Sequence, residues 1–382
     1  MGRHVRAGSL DTWVEQVGSG PDVLLIGGAG DTVESWSFQL DGLADRYRLT
    51  AFDNRGAGRT AMPDEPLTVA MMAEDAAAVL DALGIASAHV AGFSGGSIAA
   101  QELALRRPDL VRSLVLQGTW ARPDRYLRTW LRFAGRLAAA APGEREFLEG
   151  FWLDVYTPRA HADGTVEAFV EEVIAFPHKQ PAEDLQRYLD ALVDHDTTDR
   201  LRQVTAPTLV LVGGVDLVGR PELGRVVARA IPGARFELWD TEAHQPFQEV
   251  PDRWNARVDA FWQEVEARSG TPAPRTAADD RSSPGRRAEA PGAGEGSAAE
   301  PGTQPTEQIA GHLVAVGLVE HLVPGVGVDP QLHRQAAVAQ RVGRRGDLGG
   351  VRPAHRVALP GEQKHRQPRG AGRPHPRGSP RG

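Results

Sequence analysis

Six short, nearly uninterrupted apolar runs recur in the first 240 residues, and they constrain the fold more than any other feature. They are residues 22–28 (DVLLIGG), 47–53 (YRLTAFD), 88–93 (AHVAGF), 111–118 (VRSLVLQG), 207–214 (PTLVLVGG) and 234–240 (ARFELWD). Runs of this length read as strands. Apolarity that is continuous rather than alternating means that both faces are covered, which is the condition of a parallel sheet. Helical patterns lie between the runs. In 67–84 (LTVAMMAEDAAAVLDALG), Val69, Met72, Ala76, Val79 and Leu80 share one face and Gly84 supplies a stop, while 95–108 (GGSIAAQELALRRP) is a helix ended by Pro108. Strand–helix alternation of this kind predicts an α/β sheet with right-handed crossovers.

The alternation breaks over 121–199. This stretch holds no good strand, but it has helical segments rich in aromatics, among them Tyr126, Trp130, Phe133, Phe151, Trp152 and Tyr156. A helical lid inserted over the carboxyl edge of the sheet is the expected arrangement, with the core formed by 1–120 and 200–270. For most of these aromatics, packing within the lid itself is the simpler role. Trp120, where the chain enters the lid, is a candidate for lining a substrate pocket.

Composition changes abruptly near residue 270. Residues 271–382 are rich in Pro, Gly, Ala and Arg and nearly free of aromatics, so they are expected to form a disordered tail. The single apolar island at 309–323 has no comparable partner nearby. The tail carries 16 Lys and Arg against 10 Asp and Glu, a net of +6, which leaves −13 for residues 1–270 of the total of −7. An acidic body is a poor binder of nucleic acid, and the basic tail reads as solvated chain. Cysteine is absent, which excludes disulfides, thiolate metal sites and a cysteine nucleophile. No apolar run has the length of a membrane span and the first ten residues do not form a signal-peptide core, so a cytoplasmic protein with no membrane partner is expected.

Within 90–101 (VAGFSGGSIAAQ), Gly92, Ser94 and Gly96 fit G-x-S-x-G. Ser94 directly follows an apolar strand and opens a helix, the setting of a nucleophile elbow. Small residues at 92, 95 and 96 let the chain turn tightly, so that the serine hydroxyl rises above the sheet edge. A serine hydroxyl needs a base to take its proton and an acid to orient that base. Of the six histidines in 1–270, only His244 follows a late strand immediately. Asp216, also at the carboxyl end of a strand, is the acid candidate. Ser94, Asp216 and His244 stand in the chain order that this fold requires.

Gly28, Ala29 and Gly30 after the first core strand, with Asp53 closing the next, superficially suggest a dinucleotide fingerprint. Val33 stands at the third glycine position, however, and Trp36 where close packing is needed, so no dinucleotide is expected. Neither a P-loop nor a metal-binding His/Asp pattern is present, and no cofactor or metal is expected.

Taken together, these motifs resemble the serine-nucleophile branch of the α/β-hydrolase superfamily that includes 3-oxoadipate enol-lactonases, cofactor-free haloperoxidases and related small esterases. The resemblance covers about residues 10–268. It rests on 52–60 (FDNRGAGRT), 92–116 around the elbow, 206–216 (APTLVLVGGVD) and 243–251 (AHQPFQEVP). It implies a Ser94–His244–Asp216 triad with an oxyanion hole formed by the N–H groups of Gly95 and Ala29. Gly27 departs from the family's usual histidine. The implied activity is hydrolysis of a small ester or lactone. The rivals are a carboxyl or methyl esterase for an aromatic polyketide, a thioesterase or a perhydrolase on the same triad, and a non-catalytic binding protein of the same fold. The Asp53–Arg55 turn and His195 read as structural.

Overall fold

The computed structural model describes residues 2–270; the tail expected at 271–382 lies outside the described residues. Eight strands form one sheet: β1 (Arg3–Ala7), β2 (Leu10–Gly18), β3 (Asp22–Ile26), β4 (Arg48–Phe52), β5 (Ala88–Phe93), β6 (Val111–Gln117), β7 (Thr208–Gly213) and β8 (Arg235–Trp239). Their order is β1-β2-β4-β3-β5-β6-β7-β8. The six runs read as strands are β3 to β8, and they pair in parallel throughout. An antiparallel hairpin, β1–β2, extends the edge, with Ala7 opposite Leu10 across a two-residue turn where Gly8 takes φ +58°.

The strand sequences follow from what covers each face. Leu24, Ile26, Val90, Leu114, Leu116, Val210 and Val212 point to one side. There they meet α2 (Val69–Ala82), α3 (Gly95–Arg106) and α9 (Pro221–Ala230). Val23, Leu25, Ala91, Phe93, Val115, Leu209 and Leu211 point to the other side, against α1 (Ser37–Leu43) and α11 (Pro251–Ser269). Each fully buried aliphatic side chain contributes about 1.5–3 kcal/mol of transfer free energy, so both faces are mainly apolar, and buried polar side chains such as His89 and Ser113 pair with each other.

Between β6 and β7 the chain runs through five helices: α4 (Arg125–Ala140), α5 (Glu144–Trp152), α6 (Pro158–Ala162), α7 (Thr165–Ala175) and α8 (Ala182–Val193). A short helix, α10 (Pro246–Glu249), precedes α11. Parallel pairing sets Ile26 beside Gly92, Phe93 beside Gln117, Gln117 beside Leu211, and Gly213 beside Trp239. The loops that follow these strands therefore emerge along one edge, where open α/β sheets place their ligands.

Candidate active site

Strand β5 ends at Phe93 and α3 begins at Gly95, so the chain reverses within one residue. That residue, Ser94, has φ 52° and ψ −124°, and it is the only non-glycine with positive φ among the described residues. Such a conformation costs about 1–3 kcal/mol and persists only where the surroundings enforce it. Its N–H donates to the Gln117 carbonyl at 2.9 Å, and its own carbonyl accepts from the Ser97 N–H and hydroxyl at 2.9 and 2.6 Å. The flanking glycines are sterically required. A Cβ on Gly92 would lie 2.6 Å from the Gly96 oxygen, and one on Gly96 would lie 2.3 Å from the carbonyl oxygens of Ile26 and Gly27.

His244 comes from the loop after β8. Its Nε2 lies 3.0 Å from Ser94 Oγ and its Nδ1 lies 2.7 Å from Asp216 Oδ2. A carboxylate only accepts, so Nδ1 carries the proton and Nε2 is left to accept from the serine hydroxyl. The other oxygen of Asp216 accepts two backbone N–H groups, from Val218 and Gly219, each at 2.8 Å. The imidazole packs on the Phe93 ring, at 4.8 Å between centroids. On another side it meets Gly118, where a Cβ would lie 2.7 Å from its Cε1. Histidine and aspartate are both buried. The three side chains form one hydrogen-bonded chain, with the imidazole and carboxylate buried and Ser94 half-buried at its open end, and a serine so placed beside a histidine and an acid can act as a nucleophile.

A small pocket, partly open to solvent, adjoins Ser94 and His244. Its wall is mostly apolar: Phe93 from the sheet, Trp130 and Leu131 from α4, Phe151 from α5, and Leu189 and Leu192 from α8. Ala29 also borders it, on the loop after β3. Gly95 is the first residue of α3, where helix N–H groups have no intrahelical acceptor and the dipole favours a developing anion. A Cβ on Gly95 would lie 2.7 Å from the Tyr188 ring.

A family model described as alpha/beta hydrolase fold matches residues 21–249. The chain belongs to the α/β-hydrolase family. It is 31% identical over 263 residues to the Azorhizobium caulinodans protein named "Putative carbamate hydrolase RutD", covering 69% of this chain and 99% of that one. The crystal structure of the Mycobacterium tuberculosis protein named "Putative non-heme bromoperoxidase BpoC" superposes with a TM-score of 0.60 at 29% identity, over 69% of this chain and 98% of that chain. The enol-lactonase from Burkholderia xenovorans superposes with a TM-score of 0.61 over 68% and 99% of the two chains, and at 24% identity the likeness is one of fold.

Within this α/β-hydrolase the expected site residues Ser94, His244, Asp216 and Ala29 come together, and Gly95 adjoins them. Trp120 does not join them. It is buried at 1% exposure in the core, with its carbonyl accepting from Gln101 Nε2 at 3.0 Å, and the cavity wall comes from Trp130 and Phe151 instead. The sequence marks α4 and α8 as amphipathic, but an apolar stripe at i, i+3 spacing looks the same whether it faces a cavity or a core. The remaining charged candidates have structural contacts. Asp53 accepts the N–H groups of Val33 and Arg59 at 2.8 Å, and Arg55 forms a fork with Asp75 at 2.6 and 2.7 Å. His195 Nε2 lies 3.1 Å from the buried carboxylate of Glu102. Among the described residues no group of His, Asp or Glu has the grouping of a metal site, and no helix is long and apolar enough to cross a membrane.

Proposed function

We propose that the protein is a serine hydrolase that cleaves a small, uncharged ester or lactone through an acyl-enzyme. The observation that carries this reading is the unbroken chain from Ser94 Oγ through His244 to Asp216 at the wall of an apolar cavity. Ser94 Oγ attacks the substrate carbonyl carbon as its proton passes to His244 Nε2. The N–H groups of Gly95 and Ala29 hold the carbonyl oxygen as it becomes an oxyanion. Asp216 keeps Nδ1 protonated and offsets the imidazolium charge. The adduct collapses by breaking the bond to the alcohol oxygen, which takes the proton from Nε2. A water molecule then gives a proton to His244 and attacks the acyl group, and the second collapse returns the proton to Ser94 and releases the acid. Apart from the substrate and that water, the groups used in these steps are side chains and N–H groups of the chain.

The mostly apolar lining of the pocket favours an uncharged acyl group. None of its lining residues is Lys or Arg, and the acidic Asp31 is buried nearby, so a substrate carboxylate would lie there unpaired. A steady-state survey with the full chain and its Ser94→Ala variant tests the reading. The panel holds an uncharged enol-lactone, short p-nitrophenyl esters, a bulky aromatic methyl ester, an acyl thioester and a carbamate. The expected result is turnover that favours a small ester or lactone and disappears in the variant. Turnover that survives Ser94→Ala contradicts the nucleophile, and a clear preference for the carbamate or thioester contradicts the substrate class. No turnover together with no fluorophosphonate label on Ser94 favours the non-catalytic binding protein.

A further inference from the structure

One buried acid beside the cavity has no part in the steps above. Asp31 lies in the loop after β3, two residues beyond Ala29, and its side chain is 6% exposed. Its Oδ2 accepts the Gly28 N–H at 2.7 Å, its carboxylate also takes a hydrogen bond from the Ser35 side chain, and its own N–H reaches the Gly28 carbonyl at 3.4 Å. Burial holds the Asp31 carboxyl above the ordinary carboxylate range, against the opposing pull of Ser35, the Gly28 N–H and the nearby His244. The phenols of Tyr156 and Tyr188 feel its charge as well.

These contacts bear on two successive peptide planes. In the plane between Gly27 and Gly28, Asn54 Nδ2 holds the carbonyl at 2.9 Å and Asp31 holds the N–H. In the plane between Gly28 and Ala29, the carbonyl is turned toward the Asp31 N–H. A trans peptide directs its N–H opposite to its carbonyl, so fixing the Gly28 carbonyl also aims the Ala29 N–H. Without such ties a run of glycines explores many conformations. The departure at Gly27 belongs to the same arrangement, since a Cβ there would lie 2.7 Å from the Asp31 Cβ. Asp31 thus occupies volume that a larger residue at 27 would need.

We propose that Asp31 is a positioning residue for the oxyanion-binding loop, fixing through its carboxylate and its N–H the two peptides that precede the Ala29 N–H. The assignment rests on the reading of Ser94 as nucleophile.

The test compares Asp31→Ala and Asp31→Asn with the wild-type full chain. It reads kcat and KM on the best ester of the panel, the Ki of a trifluoromethyl ketone that forms a tetrahedral oxyanion on serine, and the thermal midpoint. Asp31→Ala is expected to lower kcat by about 10–100-fold and to raise the ketone Ki in parallel, with KM changing by less than about threefold. Asp31→Asn keeps an acceptor for the Gly28 N–H and is expected to stay within about fivefold of wild type in both quantities. An alanine variant with wild-type kcat and Ki overturns the proposal, as does a fall in kcat without the matching rise in Ki. Should the alanine variant not fold, the asparagine variant decides: a loss of more than about tenfold at an unchanged thermal midpoint overturns the role. Failure of the wild-type chain to bind the ketone overturns the Ser94 reading, and this assignment with it.

Discussion

The backbone N–H of His244 donates to the carbonyl of Val155 at 3.0 Å, which ties the loop carrying the imidazole to the helices inserted between β6 and β7. The next two residues strengthen the tie. Tyr156 donates its hydroxyl to Gln248, and Thr157 donates both its N–H and its hydroxyl to the Glu249 carboxylate. The placement of the imidazole therefore depends on the inserted helices as well as on the sheet.

Glu249 is the residue to remove. Burial raises its carboxyl above the ordinary range, while Thr157 and Arg159 favour the charged form. Glu249→Ala leaves the Thr157 donors unpaired and is expected to lower kcat by about tenfold or more, together with a lower thermal midpoint. Steady-state kinetics and a melting curve on the same preparation check this. Unchanged kcat would separate the inserted helices from the placement of His244.

Gly118 tests the imidazole from the sheet side. It has φ +58°, and a Cβ there would lie 2.7 Å from His244 Cε1 and 2.8 Å from Nδ1. Gly118→Ala is expected to displace the ring and lower kcat by about 100-fold. An alanine variant with full activity would show that the ring position is not decisive.

Glu102 is expected to make stability depend on pH in the acid range. Its buried carboxylate accepts from Arg106 and Arg200 and has His195 Nε2 at 3.1 Å, and these neighbours hold its pKa well below 4.5 despite the opposing effect of burial. A carboxyl depressed in the folded state contributes stability that is present above the unfolded value of 4.5 and is lost as pH falls below it. Glu102→Gln is expected to be less stable than wild type at pH 7, by about 3 kcal/mol. Its melting midpoint is expected to fall less between pH 5 and pH 3 than that of wild type. Parallel curves for the two proteins would contradict this assignment.

The parallel strands were legible because burial on two faces leaves an unambiguous mark, as in Leu24, Leu25 and Ile26, which serve opposite cores in turn. The β1–β2 hairpin is different. Only one face of β2 is well covered, and Asp11, Thr12, Glu15 and Gln16 dilute its apolar signal. Ser94, Asp216 and His244 stand out in the sequence because each lies in the loop after a parallel strand and their chain order is restrictive, and the structure brings their side chains within hydrogen-bond reach. Trp120 is buried and does not line the pocket beside Ser94, because proximity in sequence to the inserted helices does not say which way a side chain turns. Asp31 carries no spacing signature, and its significance appears only when the space left by Gly27 and the hydrogen bond to Gly28 are seen together.

The most direct test of the central claim is fluorophosphonate labelling of the full chain, followed by intact mass and peptide mapping. The account predicts one adduct per chain, located on Ser94, absent in Ser94→Ala and formed at least about 100-fold more slowly in His244→Ala. An adduct on another residue, or labelling of Ser94 at an equal rate without His244, would contradict it.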